Sequence, residues 1–206
     1  MKKYSNLKKS QRVYLFFKRG IDIFGSSLGI ILLSPIMLLC ALIIKCTSKG
    51  PVFFRQERLG RYKKVFKIFK FRSMRADAPE VAPSDMSEEQ QEKMTYKWGE
   101  FMRKTSLDEI PQLFNIFLGH MSFIGPRPGA AHNEEELIIA REKYTPNAYD
   151  VKPGLSGYAQ TRMKRDHDPE QKAFYDNYYV TKMNFWFDLK IFVYTITTIF
   201  GITKGR

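Results

Sequence analysis

From Ile23 to Ile44 the chain reads IFGSSLGIILLSPIMLLCALII, 22 residues without a charge. A straight helix of that length is about 33 Å long, enough to cross a hydrocarbon layer of about 30 Å. The run is too long for a signal-peptide core, and no small-residue cleavage site precedes Lys45. Farther on, VFKIFKF at 65–71 alternates as a short strand, with a turn at Gly60-Arg61. Residues 107–124 place Leu107, Ile110, Leu113, Phe114 and Phe117 on one helical face that ends at Gly119. Two Pro/Gly loops follow, GPRPG at 125–129 and KPGLSGYAQ at 152–160, with NEEELIIAREKY between them as a surface helix. The closing segment MNFWFDLKIFVYTITTIFGITKGR is strongly apolar but carries Asp188 and Lys190 near its start, which suits an interfacial helix better than a span.

Two features of the first apolar run complicate a simple crossing. Pro35 sits just past its middle, where it deletes a helix hydrogen bond, and Ser34 precedes it with a hydroxyl able to bond a freed carbonyl. Both flanks are basic: Lys18 and Arg19 before, then Lys45, Lys49, Arg55 and Arg58 after, whereas a span leaves its positive excess on one side. A tilted span and a re-entrant hairpin bent at Ser34-Pro35 both fit the residues.

Charge sharpens the picture. The 206 residues hold 34 Lys+Arg against 21 Asp+Glu, a net +13. Seven basic residues and no acid precede Asp22, a pattern expected of a cytoplasmic flank meeting anionic lipid. Residues 51–75 add nine basic residues against one acid, interleaved with Phe, Val and Ile. Beside a membrane segment that interleaving favours lipid phosphates and a phosphorylated substrate over single-stranded nucleic acid, and nucleic acid is not expected as a partner. Residues 76–100 reverse the sign, seven acids to two lysines, and read as a solvated helix or insertion at about 76–98. Cys40 and Cys46 are too few for a disulfide framework or a zinc site. His120, His132 and His167 lack metal-ligand spacing, and no phosphate-binding P-loop, dinucleotide-binding turn or nucleophile elbow is present.

The candidate chemistry centres on Asp108-Glu109. Ser106-Leu107-Asp108-Glu109 fits a capping box, and acids favour a first helical turn in any case. The surroundings offer a second reading. Arg103 lies five residues upstream, and Arg127 is held between Pro126 and Pro128. A carboxylate among guanidinium groups is expected to stay ionised and to serve as nucleophile or metal ligand, while the arginines neutralise phosphate charge.

Lys18-Arg19-x-x-Asp22, Ser34-Pro35, Phe54-Arg55-Gln56-x-Arg58-x-Gly60, Lys70-Phe71-Arg72-Ser73-Met74, Leu107-Asp108-Glu109-x-Pro111-Gln112, Gly125-Pro126-Arg127-Pro128 and Lys152-Pro153-Gly154-x-Ser156-Gly157 occur in this order. Together they resemble the bacterial sugar transferases known as monotopic phosphoglycosyl transferases, over about residues 12–200. The resemblance implies transfer of a sugar 1-phosphate from a UDP-sugar to polyprenyl (undecaprenyl) phosphate with release of UMP, the first membrane step of glycan assembly. It implies Asp108 as the nucleophile of a covalent phosphosugar intermediate and Glu109 as its assistant in attack by the lipid phosphate. Mg2+ is implied beside Asp108, Arg103, Arg127, Lys70 and Arg72 as phosphate-binding groups, and Pro126 and Pro128 near the nucleotide. A further phosphate-binding basic residue maps onto Lys164 or Arg165. His120 stands where relatives commonly have an acid.

The implied fold is α/β but mostly helical, with little β-sheet. Residues 1–49 form a basic N-terminus and a re-entrant membrane helix broken at Ser34 and Pro35. Residues 50–206 form one compact catalytic domain with interfacial amphipathic helices, on the cytoplasmic face of the bacterial inner membrane. Anionic membrane lipid is an expected partner, and a homodimer is open. A non-enzymatic membrane-surface scaffold holding anionic lipid or nucleic acid through the basic face is the rival; it would tolerate loss of Asp108.

Overall fold

A computed structural model describes residues 6–75, 89, 94–129, 135–163 and 168–199. Most of the acidic stretch at 76–98, His132, His167, Lys164 and Arg165 lie outside the described residues. The chain is mostly helical with little sheet, as the sequence implies.

Helix α1 runs 39 residues, Lys9–Thr47, through Pro35. Proline at position 35 cannot donate to the Ile31 carbonyl, and Ser34 Oγ donates to that same carbonyl at 2.8 Å. The residue before the proline thus replaces the bond the proline removes.

The hairpin β1 (Phe53–Leu59) and β2 (Val65–Phe71) pairs antiparallel from Phe53↔Phe71 to Leu59↔Val65, with a 3-10 turn at Arg61–Lys63. After α2 (Lys97–Lys104), the helix expected from Leu107 arrives in two pieces. Leu107–Glu109 is a 3-10 turn, and α3 spans Gln112–Leu118. Pro111 is the reason: lacking an N–H, it cannot close an α-turn onto Leu107, so Ile110 N bonds Leu107 O and Phe114 N bonds Pro111 O, each three residues back. The buried face shifts accordingly. Gln112, Leu113, Asn115 and Ile116 are buried, while Phe114 and Phe117 are exposed. Gly119 ends α3 at φ 85°, as its position predicts.

Strands β3 (Ser122–Ile124) and β4 (Gly154–Ser156) pair in parallel. Between them lies α4 (Glu135–Glu142), followed by a 3-10 turn at Ala148–Asp150. Expected as a surface helix, α4 instead buries Leu137, Ala140 and Arg141, with Leu137 and Ala140 packed against Ala173 of α6. Helices α5 (Tyr158–Arg162), α6 (Pro169–Lys182) and α7 (Phe185–Ile199) complete the chain. Asp168 caps α6 by accepting from Glu170 and Gln171 N–H, with Pro169 at the first helical position.

The core is strung along one face of α1. Near its start, Tyr14 and Leu15 join Ile124, Tyr179, Val180 and Ile191. Midway, Ile30 and Leu33 pack on Phe66, Leu113 and Ile116. Beyond Pro35, Cys40 and Ile44 are buried with Phe71 and Met102. With Gln11, Lys18, Asp22 and Ser26, also buried on α1, these positions form a single helical stripe. The opposite face stays apolar and uncovered: Phe16 is 75% exposed, Phe24 73% and Ile31 69%. Helix α7 is similar, burying Asp188 and Ile191 while Trp186 is 74% exposed.

Candidate functional site

Three charged residues of the Lys18-Arg19-x-x-Asp22 motif fasten α1 to the body. Lys18 forms a buried ion pair with Asp188 of α7. The same carboxylate accepts from Tyr14 Oη at 2.6 Å and Tyr179 Oη at 2.9 Å. Arg19 donates from Nη1 and Nη2 to the carbonyls of Ile116 and Phe117 at the end of α3, at 2.7 and 2.8 Å. Asp22 Oδ1 accepts from Ser122 Oγ at 2.9 Å and Phe123 N at 3.1 Å, fixing the start of β3. Asp188, which the sequence presents as a polar interruption of an interfacial helix, is therefore the buried counter-charge of the anchor.

At the centre of the site, Ser106 adopts a left-handed conformation with φ 56° and makes no side-chain cap. The capping-box reading of Ser106 is not realised; its backbone turns the chain out of α2 into the 3-10 turn. This places Asp108 and Glu109 beside β2 and the Pro126–Pro128 loop. Glu109 Oε1 accepts from Lys70 Nζ at 2.7 Å and from Arg127 Nη2 at 2.9 Å. Burial opposes its charge, yet Arg127 and Lys70 hold the Glu109 carboxyl far below the usual carboxylate range.

Asp108 behaves otherwise. It is only 9% exposed, and burial pushes its carboxyl above the ordinary range. Lys70 pulls it back, Glu109 adds to the rise, and Arg103 pulls it back again. Desolvation is the largest of these influences, and nothing in the spacing of Arg103 and Asp108 along the sequence reveals it. A desolvated carboxylate is a stronger nucleophile than a hydrated one once ionised. Arg103 extends from the last turn of α2; Gly99, in the first turn, lets that helix approach the segment after β2, since a Cβ there would lie 1.9 Å from Ser73 O.

Arg72 has a different setting from Lys70. It is buried, and its Nη1 and Nη2 donate to the carbonyls of Lys49 and Ser48 at 2.6 and 2.9 Å, just past the end of α1. Ser34 and Pro35 lie on the exposed face of α1. Pro126 and Pro128 are both buried and flank a half-buried Arg127. The loop that carries them is knotted to the second Pro/Gly loop. Gly125 N donates to Ser156 O at 2.9 Å and Gly154 N to Pro126 O at 3.0 Å. A Cβ on Gly154 would stand 2.2 Å from Gly125 N, so only glycine fits.

Sequence reasoning gave no positioning role to three residues that set this geometry. Asn115 is fully buried, accepts from Phe69 N at 2.8 Å and donates to Lys67 O at 2.8 Å. It thereby binds α3 to β2 and aligns Lys70 with Glu109. Its signal was a polar residue inside the apolar run LFNIFL. Arg141 donates to the Arg127 carbonyl at 2.9 Å and pairs in the interior with Asp176. No local pattern announces that pair. Arg58 donates to the Pro128 carbonyl at 3.4 Å, and Leu59 N donates to Gly129 O at 3.1 Å, so the first strand also braces the loop.

Among the described residues no group of three or more His, Cys, Asp or Glu could hold a metal by itself. Mg2+ differs from zinc in this respect, since one or two carboxylates plus substrate phosphates and water suffice for it. With Glu109 Oε1 engaged by two cations, Asp108 is the carboxylate that fits a metal shared with a phosphorylated substrate.

A sequence profile of the bacterial sugar transferases matches residues 13–201. The UDP-glucose:undecaprenyl-phosphate glucose-1-phosphate transferase of Klebsiella pneumoniae is 40% identical over 189 residues, covering 89% of this chain and 40% of that protein. The protein of the same description from Escherichia coli (strain K12) is 39% identical over 190 residues, covering 87% of this chain and 39% of its own length. The chain thus spans about two fifths of the length of these relatives. The exopolysaccharide production protein PSS of Rhizobium leguminosarum bv. phaseoli is 36% identical over 200 residues, covering 93% of this chain and 98% of that protein.

Proposed function

Because the chain belongs to the bacterial sugar transferase family, we propose that it transfers a sugar 1-phosphate from a UDP-sugar to undecaprenyl phosphate, with release of UMP, as the first membrane step of polysaccharide or glycoprotein glycan assembly. The observation that carries this reading is the contrast between two adjacent carboxylates: Asp108 desolvated and raised, Glu109 clamped and lowered by Lys70 and Arg127. Adjacent acids pushed in opposite directions suit different roles.

In the first step an Asp108 carboxylate oxygen attacks the sugar-bearing phosphorus of the UDP-sugar. A new carboxylate O–P bond forms, the bond from that phosphorus to the bridging oxygen breaks, and UMP departs. In the second, an oxygen of undecaprenyl phosphate attacks the same phosphorus; the acyl-phosphate bond breaks and Asp108 is regenerated. Glu109 assists that attack from beside the phosphate. Arg103, Lys70 and Arg127 offset phosphate charge, and the Pro126–Pro128 loop borders the nucleotide. Arg72 acts from behind, tying the chain just past α1 to the segment that follows β2. Mg2+ at Asp108 would reduce the charge of the pyrophosphate.

The same-face placement of α1 has its own support. Body contacts follow its whole length, on both sides of Pro35. A helix crossing the bilayer straight would draw the polar body packed on it into hydrocarbon, which unsatisfied backbone groups forbid. A re-entrant helix in one leaflet keeps that body at the surface. The basic N-terminal flank supports the cytoplasmic face.

Incubation with a panel of UDP-sugars, undecaprenyl phosphate and Mg2+, reading UMP release, tests the reaction and identifies the sugar. Asp108→Asn is expected to abolish both turnover and the phosphosugar adduct detected by mass spectrometry. Full turnover in that variant sinks the mechanism, whereas absence of UMP release from every UDP-sugar with the parent chain leaves the rival scaffold reading standing.

A further inference from the structure

A cavity of about 350 Å³ opens between the N-terminal part of α1, the turn after β1, the start of β3 and the segment before β4. Five of its lining residues are cationic, Arg12, Lys18, Arg19, Arg61 and Lys152, against the single carboxylate of Asp22. Lys18 is matched by Asp188. The bonds made by Arg12 and Arg19 go to main-chain carbonyls, which hold the guanidinium groups without cancelling their charge, and Arg61 Nε donates to the Asp150 carbonyl.

Lys152 is the unusual member. It is half-buried, and among the described residues its Nζ has no hydrogen-bond or ion-pair partner. It converges with Arg19 on the space above Gly119: a Cβ on that glycine would lie 3.2 Å from Arg19 Nη2 and 3.3 Å from Lys152 Nζ. Burial and the Arg19 charge pull the Lys152 ammonium down to about 8, with Asp22 pulling the other way and Arg61 adding to the fall. Cations gathered this closely call for an anion.

None of Asp108, Glu109, Arg103, Arg127 or Lys70 lines this cavity. Arg19 binds carbonyls at the far end of α3 from the Asp-Glu pair, and seven helical residues separate the two ends by about 10 Å. The cavity wall continues through Leu15 and Phe16 onto the uncovered apolar face of α1.

We propose that Lys152, flanked by Arg19, Arg61 and Arg12, seats the phosphodiester of an anionic membrane phospholipid, whose acyl chains lie along Phe16 and the exposed face of α1. This rests on the reading of α1 as a membrane-surface helix but not on the reaction at Asp108. The lipid would brace the anchor where α1, α3 and the Lys152-Pro153-Gly154 loop meet, separately from any substrate phosphate.

Native mass spectrometry of the full chain in detergent, titrated with dioleoylphosphatidylglycerol, dioleoylphosphatidylcholine or inorganic phosphate, reads this directly. Phosphatidylglycerol is expected to saturate one site and phosphatidylcholine to bind at least about tenfold more weakly. Lys152→Gln should weaken phosphatidylglycerol by about tenfold, Lys152→Arg should restore it, and Asp108→Asn should bind as the parent does. Unchanged binding in Lys152→Gln, equal loss in Lys152→Arg, or no preference between the two lipids overturns the proposal. Displacement of phosphatidylglycerol by equimolar inorganic phosphate also overturns it, because the cavity would then take a soluble anion. Loss of turnover in Asp108→Asn with phosphatidylglycerol binding intact keeps the two readings apart.

Discussion

Lys70 and Glu109, 39 residues apart, meet at 2.7 Å across the seam between β2 and the 3-10 turn. Arg127 reaches the same carboxylate oxygen at 2.9 Å. Two cations on one oxygen fix the glutamate side chain and hold both cations beside Asp108. Glu109→Gln removes the charge that holds them. We expect turnover to fall by about 10²-fold, the scale of a lost general acid–base partner. The Asp108 phosphosugar adduct should still form, and UMP burst amplitude separates the two steps. An unaltered steady-state rate would remove Glu109 from the scheme.

The raised carboxyl of Asp108 sets a pH dependence. Attack needs the ionised form, so activity falls as pH drops through a value above the ordinary aspartate range. Arg103 favours that ionised form. Arg103→Gln should therefore move the acid limb of the kcat profile to higher pH, beyond any loss of substrate binding. The linked stability effect has the opposite sign from a salt-bridged aspartate. A folded-state pKa above the unfolded one means that ionised Asp108 costs stability above that pKa. Asp108→Asn should melt higher than the parent at pH 7 and lose that advantage near pH 3. A lower melting temperature at pH 7 would contradict it.

Both ends of the apolar segment offer thiol probes. Cys46 is exposed in the native chain, and Gly20 has nothing within 4 Å of a built Cβ. Cys46 in the parent, and Gly20→Cys in a Cys46→Ser background, should each react with an impermeant maleimide only in inverted vesicles. Labelling of either one from outside intact cells would restore the crossing helix.

Arg141 and Asp176 form an ion pair with both side chains almost wholly buried. Arg141→Ala strands the carboxylate in the interior and should destabilise the protein by about 3–5 kcal/mol. Denaturant titration in detergent measures this. Arg141→Met with Asp176→Leu should recover much of the stability, yet turnover should stay low because the Arg127 carbonyl has lost its donor. Recovery of both would confine Arg141 to packing.

Local chemistry made much of this molecule legible. VFKIFKF alternates and is a strand; Gly119 ends a helix at positive φ; Ser34 faces the carbonyl that Pro35 frees. The charges of α1 were legible only as a membrane flank. Their partners at Ile116, Ser122 and Asp188 lie about 100 or more residues away, and nothing near Lys18 or Arg19 in sequence points to them. The Asp-Glu pair shows the same division. Proximity of Arg103 in sequence suggested a charge-dominated aspartate, but desolvation depends on what packs around residue 108, which is set by elements from across the chain. Arg141 was read as helix surface because the acidic residues around it imply solvent, whereas Asp176 supplies its interior partner.

The Lys18–Asp188 pair also constrains biogenesis. The two residues are 170 positions apart, so at roughly 5–20 residues per second the ribosome needs on the order of 10–30 s to supply the second after the first. Throughout that interval the amino-terminal end of the anchor carries an uncompensated ammonium that cannot enter a dry interface. Hydrophobic contact can hold the nascent helix at the bilayer, but its final seating waits for α7. The final seating of the anchor and the folding of the body therefore finish together, and a chain stopped before Asp188 would leave the anchor adsorbed rather than locked.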